Sequence, residues 1–196
     1  HDPVSVTGEP RTAAVLVPVI QRPSSGTDPD PHVLFVKRSD HLGEHPGQMA
    51  FPGGGHEPGD TDLLATALRE SHEEIGLRPE EVDVVGRLDD IRAVTEYSVR
   101  PFVARVTDRE YTPDQREVVE IAVLSLADLT DLDNYESERR DHPHYGDIRL
   151  HFFRVDGYTV WGATGRMLVQ FLELATDWRM PSEPDRVVDP DADYPV

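Results

Sequence analysis

Residues 52–77, PGGGHEPGDTDLLATALRESHEEIGL, constrain this chain more than any other stretch. A glycine-rich turn runs into one amphipathic helix. Asp60 or Thr61 suits the N-cap, Leu64, Ala67, Leu68, Ser71 and Ile75 recur at three- and four-residue steps, and Gly76 stands where a C′ residue belongs. Glu70, Glu73 and Glu74 then share one face. Such a face is unfavourable on its own. Like charges at this spacing cost about 0.2–0.5 kcal/mol per pair, and acids in the last turn oppose the helix dipole. A cation relieves both penalties. All-oxygen carboxylate ligands suit Mg2+ or Mn2+, which leave further positions to water and substrate phosphates. The plain alternative is a solvated acidic face.

The spacing resembles the Nudix box: Gly, five residues, Glu, seven residues, Arg-Glu, an apolar or small residue, any residue, Glu-Glu, any residue, Gly, apolar. Gly55, Arg69, Glu70, Glu73, Glu74, Gly76 and Leu77 fall at those places. Thr61 stands where the box has its first Glu, with the acidic Asp60 one place earlier, and Ser71 stands where an apolar residue is usual.

Residues 34–54, LFVKRSDHLGEHPGQMAFPGG, are similar to the segment before the box in the coenzyme A pyrophosphatase branch of this family. Arg38, Ser39, Gly47, Phe51, Pro52, Gly53 and Gly54 match, and Gly43 stands where that pattern has a second Arg. Residues 151–168, HFFRVDGYTVWGATGRML, resemble the late strand and last helix of the same branch. The fork of Arg38 matches phosphate oxygens; the alternative is a surface arginine.

The resemblance implies an α/β fold over about residues 11–176, a Nudix-type α/β/α sandwich with a mixed β-sheet, in one domain. It implies metal-dependent hydrolysis of a pyrophosphate bond, of coenzyme A or acyl-coenzyme A, to 3′,5′-ADP and 4′-phosphopantetheine. Arg69, Glu70, Glu73 and Glu74 are the catalytic candidates, with Arg69 orienting the glutamates and Glu70 or Glu74 acting as base. Mg2+ or Mn2+ is expected on Gly54, Glu70, Glu73 and Glu74, with an extra carboxylate from Glu117 or Glu120. Arg38, Ser39, Phe51, Gly53, Gly54 and Arg100 are the expected substrate contacts. The alternatives are a Nudix enzyme for another substrate, such as ADP-ribose, NADH, a dinucleoside polyphosphate or an oxidised nucleotide, and a non-catalytic nucleotide sensor.

Composition narrows the setting. The net charge is −19, and Lys37 is the only lysine against 18 arginines. No basic nucleic-acid surface is visible, and an anionic substrate needs metal or salt to approach. The acid-rich, lysine-poor balance resembles proteins of salt-loving microbes; an ordinary acidic cytoplasmic protein is the alternative. Without cysteine there is neither disulfide nor thiolate chemistry. No apolar run reaches membrane-helix length and no signal peptide is read, so a cytoplasmic protein with a small-molecule nucleotide substrate is expected, a homodimer being left open. The chain opens on His1, and a natural start upstream is expected.

Other motifs carry less. HLGEH at residues 41–45 spells an inverted zinc-protease motif, but its glycine and the following Pro-Gly argue for a loop. HEEIG at residues 72–76 lacks a second His, and neither a P-loop, a dinucleotide-binding fingerprint nor a nucleophile elbow is present. DHPHYGD at residues 141–147 reads as a turn rather than a metal site of His142 and His144. Strands are expected at 13–20, with Pro18 at an edge or bulge, and at 33–36, 82–88, 97–106 and 117–124. A short helix follows from Leu126, then a hairpin about Asp156-Gly157 and a helix from a Thr164 cap to Thr176. Residues 1–10 and 179–196 read as polar tails.

Overall fold

The apolar run of residues 13–20 lies within β1 (Arg11–Arg22), on which the first sheet is built. The structure is a computed structural model; it describes all residues except 10, 24–28, 40–46, 93–96, 143–145 and 195–196, and the side chain of His142. Gly43, the 41–45 histidine motif and His144 therefore lie outside the described residues. The chain divides into two compact units, His1–Leu126 and Ala127–Val196.

In the first unit β1 pairs antiparallel with β2 (Asp30–Arg38) and with β4 (Gly53–Gly55). It pairs parallel with β7 (Tyr97–Val106) along ten residue pairs from Arg11↔Tyr97 to Ile20↔Val106. β2 also carries β3 (Met49–Ala50) and β8 (Val118–Ser125), and β7 carries β5 (Val82–Arg87) and β6 (Ile91–Arg92). The result is a mixed sheet. A parallel pair needs a crossover, and α1 (Leu63–Ile75) lies in the chain between its two strands and packs on β1 and β4. The core joins Leu16, Ile20, Leu34, Val36, Ile75, Leu77, Ala104 and Val118. Ile75 is fully buried, so Ile75→Ala would cost about 2–5 kcal/mol.

Pro18 does not mark an edge or a bulge: it sits inside this central strand. β4 takes Ala13–Val15, β2 takes Val19–Arg22, and the Leu16 N–H donates to the Pro52 carbonyl at 2.8 Å. Pro18 faces the same side as Leu16, in the interval between the two partners, where its missing N–H costs least.

The N-cap of α1 is Asp62, whose Oδ1 accepts the Ala65 N–H at 2.8 Å, rather than Asp60 or Thr61. The carboxylate of Asp60 is engaged elsewhere, and Thr61 is exposed. Gly76 ends the helix at φ 67°, with its N–H on the His72 carbonyl. Arg109 supplies the positive charge this end lacks: Nη2 donates to the Gly76 carbonyl at 2.8 Å while the fork grips Glu81.

In the second unit the strand order is β11 (Tyr158–Val160), β10 (Gly146–Val155), β9 (Tyr135–His142), β12 (Arg186–Val187). α2 (Leu126–Thr130) precedes this sheet, and α3 (Gly162–Ala175) packs on β10. Asp156 and Gly157 turn the hairpin with φ 52° and 81°. α3 starts at Gly162, and Thr164 is buried in its first turn instead of capping it. Of the expected tail at 179–196, the described residues 179–194 are not free. Arg149 donates to the carbonyls of Pro181, Ser182 and Glu183, Asp185 accepts the Ser137 N–H, and Arg140 lies 4.3 Å from the ring centre of Tyr194. The N-terminal residues are tied down too: the Val4 and Val6 N–H groups donate to the carboxylates of Asp89 and Asp90. No described helix is long and apolar enough to cross a membrane.

Candidate active site

The glycine turn and α1 are held together by polar contacts between them. Arg69 is the hinge of these. Its Nε and Nη2 donate to Asp60 Oδ1 and Oδ2 at 2.9 and 3.1 Å, and Nη2 also reaches the Gly55 carbonyl at 3.0 Å. Its Nη1 donates to Glu70 Oε1 at 3.0 Å and Glu73 Oε2 at 3.2 Å. Asp60 accepts two further bonds, from Thr66 Oγ1 and the Glu57 N–H. The Arg69 guanidinium, first among these donors, holds the Asp60 carboxyl well below the usual carboxylate range.

Glu70 and Glu74 stand one turn apart on the face of α1 turned to the glycines. Glu74 is 4% exposed, and its Oε2 accepts the Gly53 N–H at 2.9 Å. Burial pushes its carboxyl up to about 8; the Gly53 bond and Arg38 oppose that, while Glu70 and Glu117 reinforce it. Burial likewise raises Glu70, against the pull of Arg69 and with the push of Glu73 and Glu117. Glu70, Glu74 and Glu117 therefore repel one another. Glu73 departs from the expected shared face: its side chain is 58% exposed and leans on Arg69.

The two glycines serve packing. A Cβ on Gly53 would fall 2.3 Å from the Ala14 carbonyl oxygen and 2.5 Å from Val15 Cα, and one on Gly54 would fall 2.5 Å from Glu70 Cδ. Gly53 is thus small for β1, and its N–H goes to Glu74. Gly54 is small for Glu70.

The outlying candidates divide. Arg38 acts on the charge of Glu74, and its buried Nε has no hydrogen-bond partner among the described residues. Ser39 is buried and its N–H donates to the Glu117 carbonyl at 2.8 Å, fixing the start of β8 beside the end of β2. Glu120 sits opposite Lys37 in the β2–β8 pair. Two candidates are engaged elsewhere. Phe51 is a core residue, 2% exposed and stacked on Phe35 at 5.0 Å. Arg100 has its fork on the buried carboxylate of Asp90, with both bonds at 2.8 Å. Spacing did not assign Asp60 a place in the site; its only signal was an acid one residue before the expected box Glu.

Among the described residues no three acidic or imidazole side chains close on one point as a ready metal cage. The donor chemistry nevertheless fits a hard divalent cation. Glu70, Glu74 and Glu117 offer oxygen alone, and their mutual repulsion is what such a charge relieves.

Comparison with known proteins agrees with this geometry. The NUDIX domain profile matches residues 10–145. The protein named uncharacterized Nudix hydrolase NudL of Enterobacter sp. (strain 638) is 36% identical over 162 residues, covering 81% of this chain and 79% of its own length. Its namesake from Cronobacter sakazakii (strain ATCC BAA-894) is 38% identical with the same coverage. The crystal structure of a MutT/nudix family protein from Enterococcus faecalis matches 87% of this chain and 64% of its own with a TM-score of 0.52 at 13% identity, a likeness of fold alone. The chain belongs to the Nudix family, has its α/β fold, and is a pyrophosphatase of the kind whose members generally use divalent metal ions.

Proposed function

We propose that this Nudix enzyme hydrolyses the pyrophosphate bond of coenzyme A or a short acyl-coenzyme A, giving 3′,5′-ADP and 4′-phosphopantetheine or its acyl derivative. The observation that carries this reading is Arg38 beside the box carboxylates. It lies in the segment that resembles the coenzyme A branch, and its buried Nε has no hydrogen-bond partner among the described residues. A buried guanidinium N–H without a partner is costly, and a phosphate oxygen is the acceptor its geometry suits.

Glu70, Glu74 and Glu117 would hold Mg2+ or Mn2+, with Glu73 at the exposed margin. When bound, such an ion neutralises the diphosphate and makes a water more acidic. Glu70 or Glu74 takes the proton of the attacking water. The water oxygen bonds to one phosphorus as the bridging P–O bond breaks, and the other phosphate leaves. Arg69 fixes where Glu70 points, and Arg38 orients the diphosphate; such transfer depends mainly on positioning and charge stabilisation. A small nucleotide substrate and a cytoplasmic setting go with this reading.

The test is a side-by-side assay of coenzyme A, its acyl esters, NADH, ADP-ribose, diadenosine polyphosphates and oxidised nucleoside triphosphates, each with Mg2+ and with Mn2+. The highest kcat/KM is expected for coenzyme A or a short acyl ester, with 3′,5′-ADP among the products. Preference for another substrate with coenzyme A untouched removes the coenzyme A assignment. Binding without turnover of any of them would mark a nucleotide sensor.

A further inference from the structure

We propose that Arg109 is a positioning residue for Glu117, locking the connection from β7 to β8 onto the C-terminal end of α1 so that Glu117 is held in one place relative to Glu74. The proposal rests on the reading of Glu74 and Glu117 as metal-holding residues. Residues 107–117 link the two strands, and Tyr111 alone among them is buried. An exposed connection moves readily unless something holds it. Its far end is tied by backbone. The Asp114 N–H donates to the Glu74 carbonyl at 2.8 Å, and the Asp114 carbonyl accepts the N–H groups of Glu117 and Val118 at 3.0 and 2.9 Å. One residue thus bridges the main chain of Glu74 to that of Glu117.

The near end is tied by one side chain. Arg109 Nε and Nη2 donate to Glu81 Oε1 and Oε2, both at 2.7 Å, and Nη2 also reaches the Gly76 carbonyl at 2.8 Å. Its Nη1 donates to the Glu110 carbonyl at 2.8 Å. The guanidinium lies 4.2 Å from the ring centre of Tyr111, whose hydroxyl donates back to the Thr107 carbonyl. Arg109 therefore joins the end of α1, Glu81 and its own segment, and it backs the one buried side chain of that segment. A planar fork can do this; an ammonium cannot hold Glu81 along an edge and Gly76 together. Without Arg109 the first half of the connection is held by Tyr111 packing alone, and the turn that carries Glu117 can pivot on the bond from Asp114 to Glu74.

Charge and position predict opposite signs. In a chain of net charge −19, removing a cation should strengthen Mn2+ binding. Displacing Glu117 from beside Glu70 and Glu74 should weaken it.

The experiment measures the Mn2+ affinity of the metal-free protein by calorimetric titration, with the melting temperature alongside. The variants are Arg109→Gln, Arg109→Lys, Glu117→Gln, each Arg109 substitution combined with Glu117→Gln, and Arg105→Gln, which removes an exposed guanidinium from β7. Supporting groups around a metal ligand typically contribute about 10–100-fold in affinity. Arg109→Gln is expected to weaken Mn2+ binding by about tenfold or more. Arg109→Lys keeps the charge but loses the fork, so it should share the loss, and it carries the test if Arg109→Gln does not fold. Arg105→Gln should bind Mn2+ at least as well as the parent. With Glu117 already replaced, the Arg109 substitutions should add no further loss, because they act through Glu117. A merely structural role would lower affinity equally in both backgrounds. Parental or tighter Mn2+ binding in the folded Arg109 variants, or the same loss with Glu117 replaced, would overturn the proposal. No effect of Glu117→Gln alone removes the metal assignment beneath it. The titration uses no substrate, so neither outcome bears on the coenzyme A assignment.

Discussion

The backbone N–H of Gly53 donates to Glu74 Oε2 at 2.9 Å, fastening the last turn of α1 to the first residue of β4. This bond satisfies one oxygen of a carboxylate that is otherwise buried against its own charge. Burial holds the Glu74 carboxyl at about 8, so the ionised form is a strained state of the metal-free protein. Replacing Glu70 or Glu74 by Gln should cut turnover by about 10²–10⁴-fold. Glu74→Gln should not lower the melting temperature of the metal-free protein near neutral pH, because the carboxyl it replaces is already largely protonated there and an amide oxygen can still accept the Gly53 N–H. Folded Gln variants with near-parental rates would defeat the assignment of these residues.

Gly53 and Gly54 are adjacent, but substitution should fail differently at each. A methyl on Gly53 meets the β1 backbone at a φ of 149° that L side chains avoid. Gly53→Ala should therefore destabilise the fold, by about 1–3 kcal/mol. A methyl on Gly54 meets the end of the Glu70 side chain, which can swing away. Gly54→Ala should keep its melting temperature yet lose about 10²-fold in kcat, the scale of a misplacement near 1 Å. Equal losses of stability in both variants would show that Gly54, too, is a purely structural position.

The box was legible because its spacing is long and its chemistry local. Helical periodicity placed Glu70 and Glu74 on one face, and β7 ran to its expected bounds. What escaped depended on partners far away in sequence. YESERRDH was not among the expected strands, yet it forms β9, where Glu138 and Arg140 are buried as an ion pair and Arg186 reaches Glu136 and Glu138 from the C-terminal segment. Arg100 looked available for phosphate until Asp90 was seen to hold its fork. Phe51 belonged to a matching motif but fills the core against Phe35. In each case the residue's chemistry was visible, and the group that consumes it was not.

Salt should stabilise this protein. With 38 acids against 19 lysines and arginines, half of its acids exceed any one-to-one pairing with them. The Debye length falls from about 10 Å at 0.1 M salt to about 3 Å at 1 M, which relieves that self-repulsion. Exposed pairs such as Arg105 with Asp83 are weakened as well, but each contributes little. The buried pair of Glu138 and Arg140 is screened least. The melting temperature and activity are expected to rise into molar KCl. A melting temperature flat or falling over that range would refute the halophile reading of the composition.

The last prediction concerns acid. His151 is buried in the second unit, where its Nδ1 lies 2.9 Å from the Tyr135 hydroxyl. Burial, with Arg149 and Arg166 nearby, lowers its pKa from 6.5 to about 4. The unfolded chain therefore binds more protons between those two values, and stability falls as pH drops through that window. The contribution is whole above about pH 6.5 and lost by about pH 4, and its full size is about 3 kcal/mol. Asp60 and Glu81, held low by arginines, lose their contributions only in stronger acid. Glu74, raised to about 8, adds an opposite slope in the metal-free protein. That slope is common to the parent and to His151→Asn, so the difference between their stabilities isolates His151. The parent should lose stability relative to His151→Asn as pH falls from about 6.5 to 4, with no relative change above pH 7. A difference independent of pH would mean that His151 is not held neutral by its surroundings.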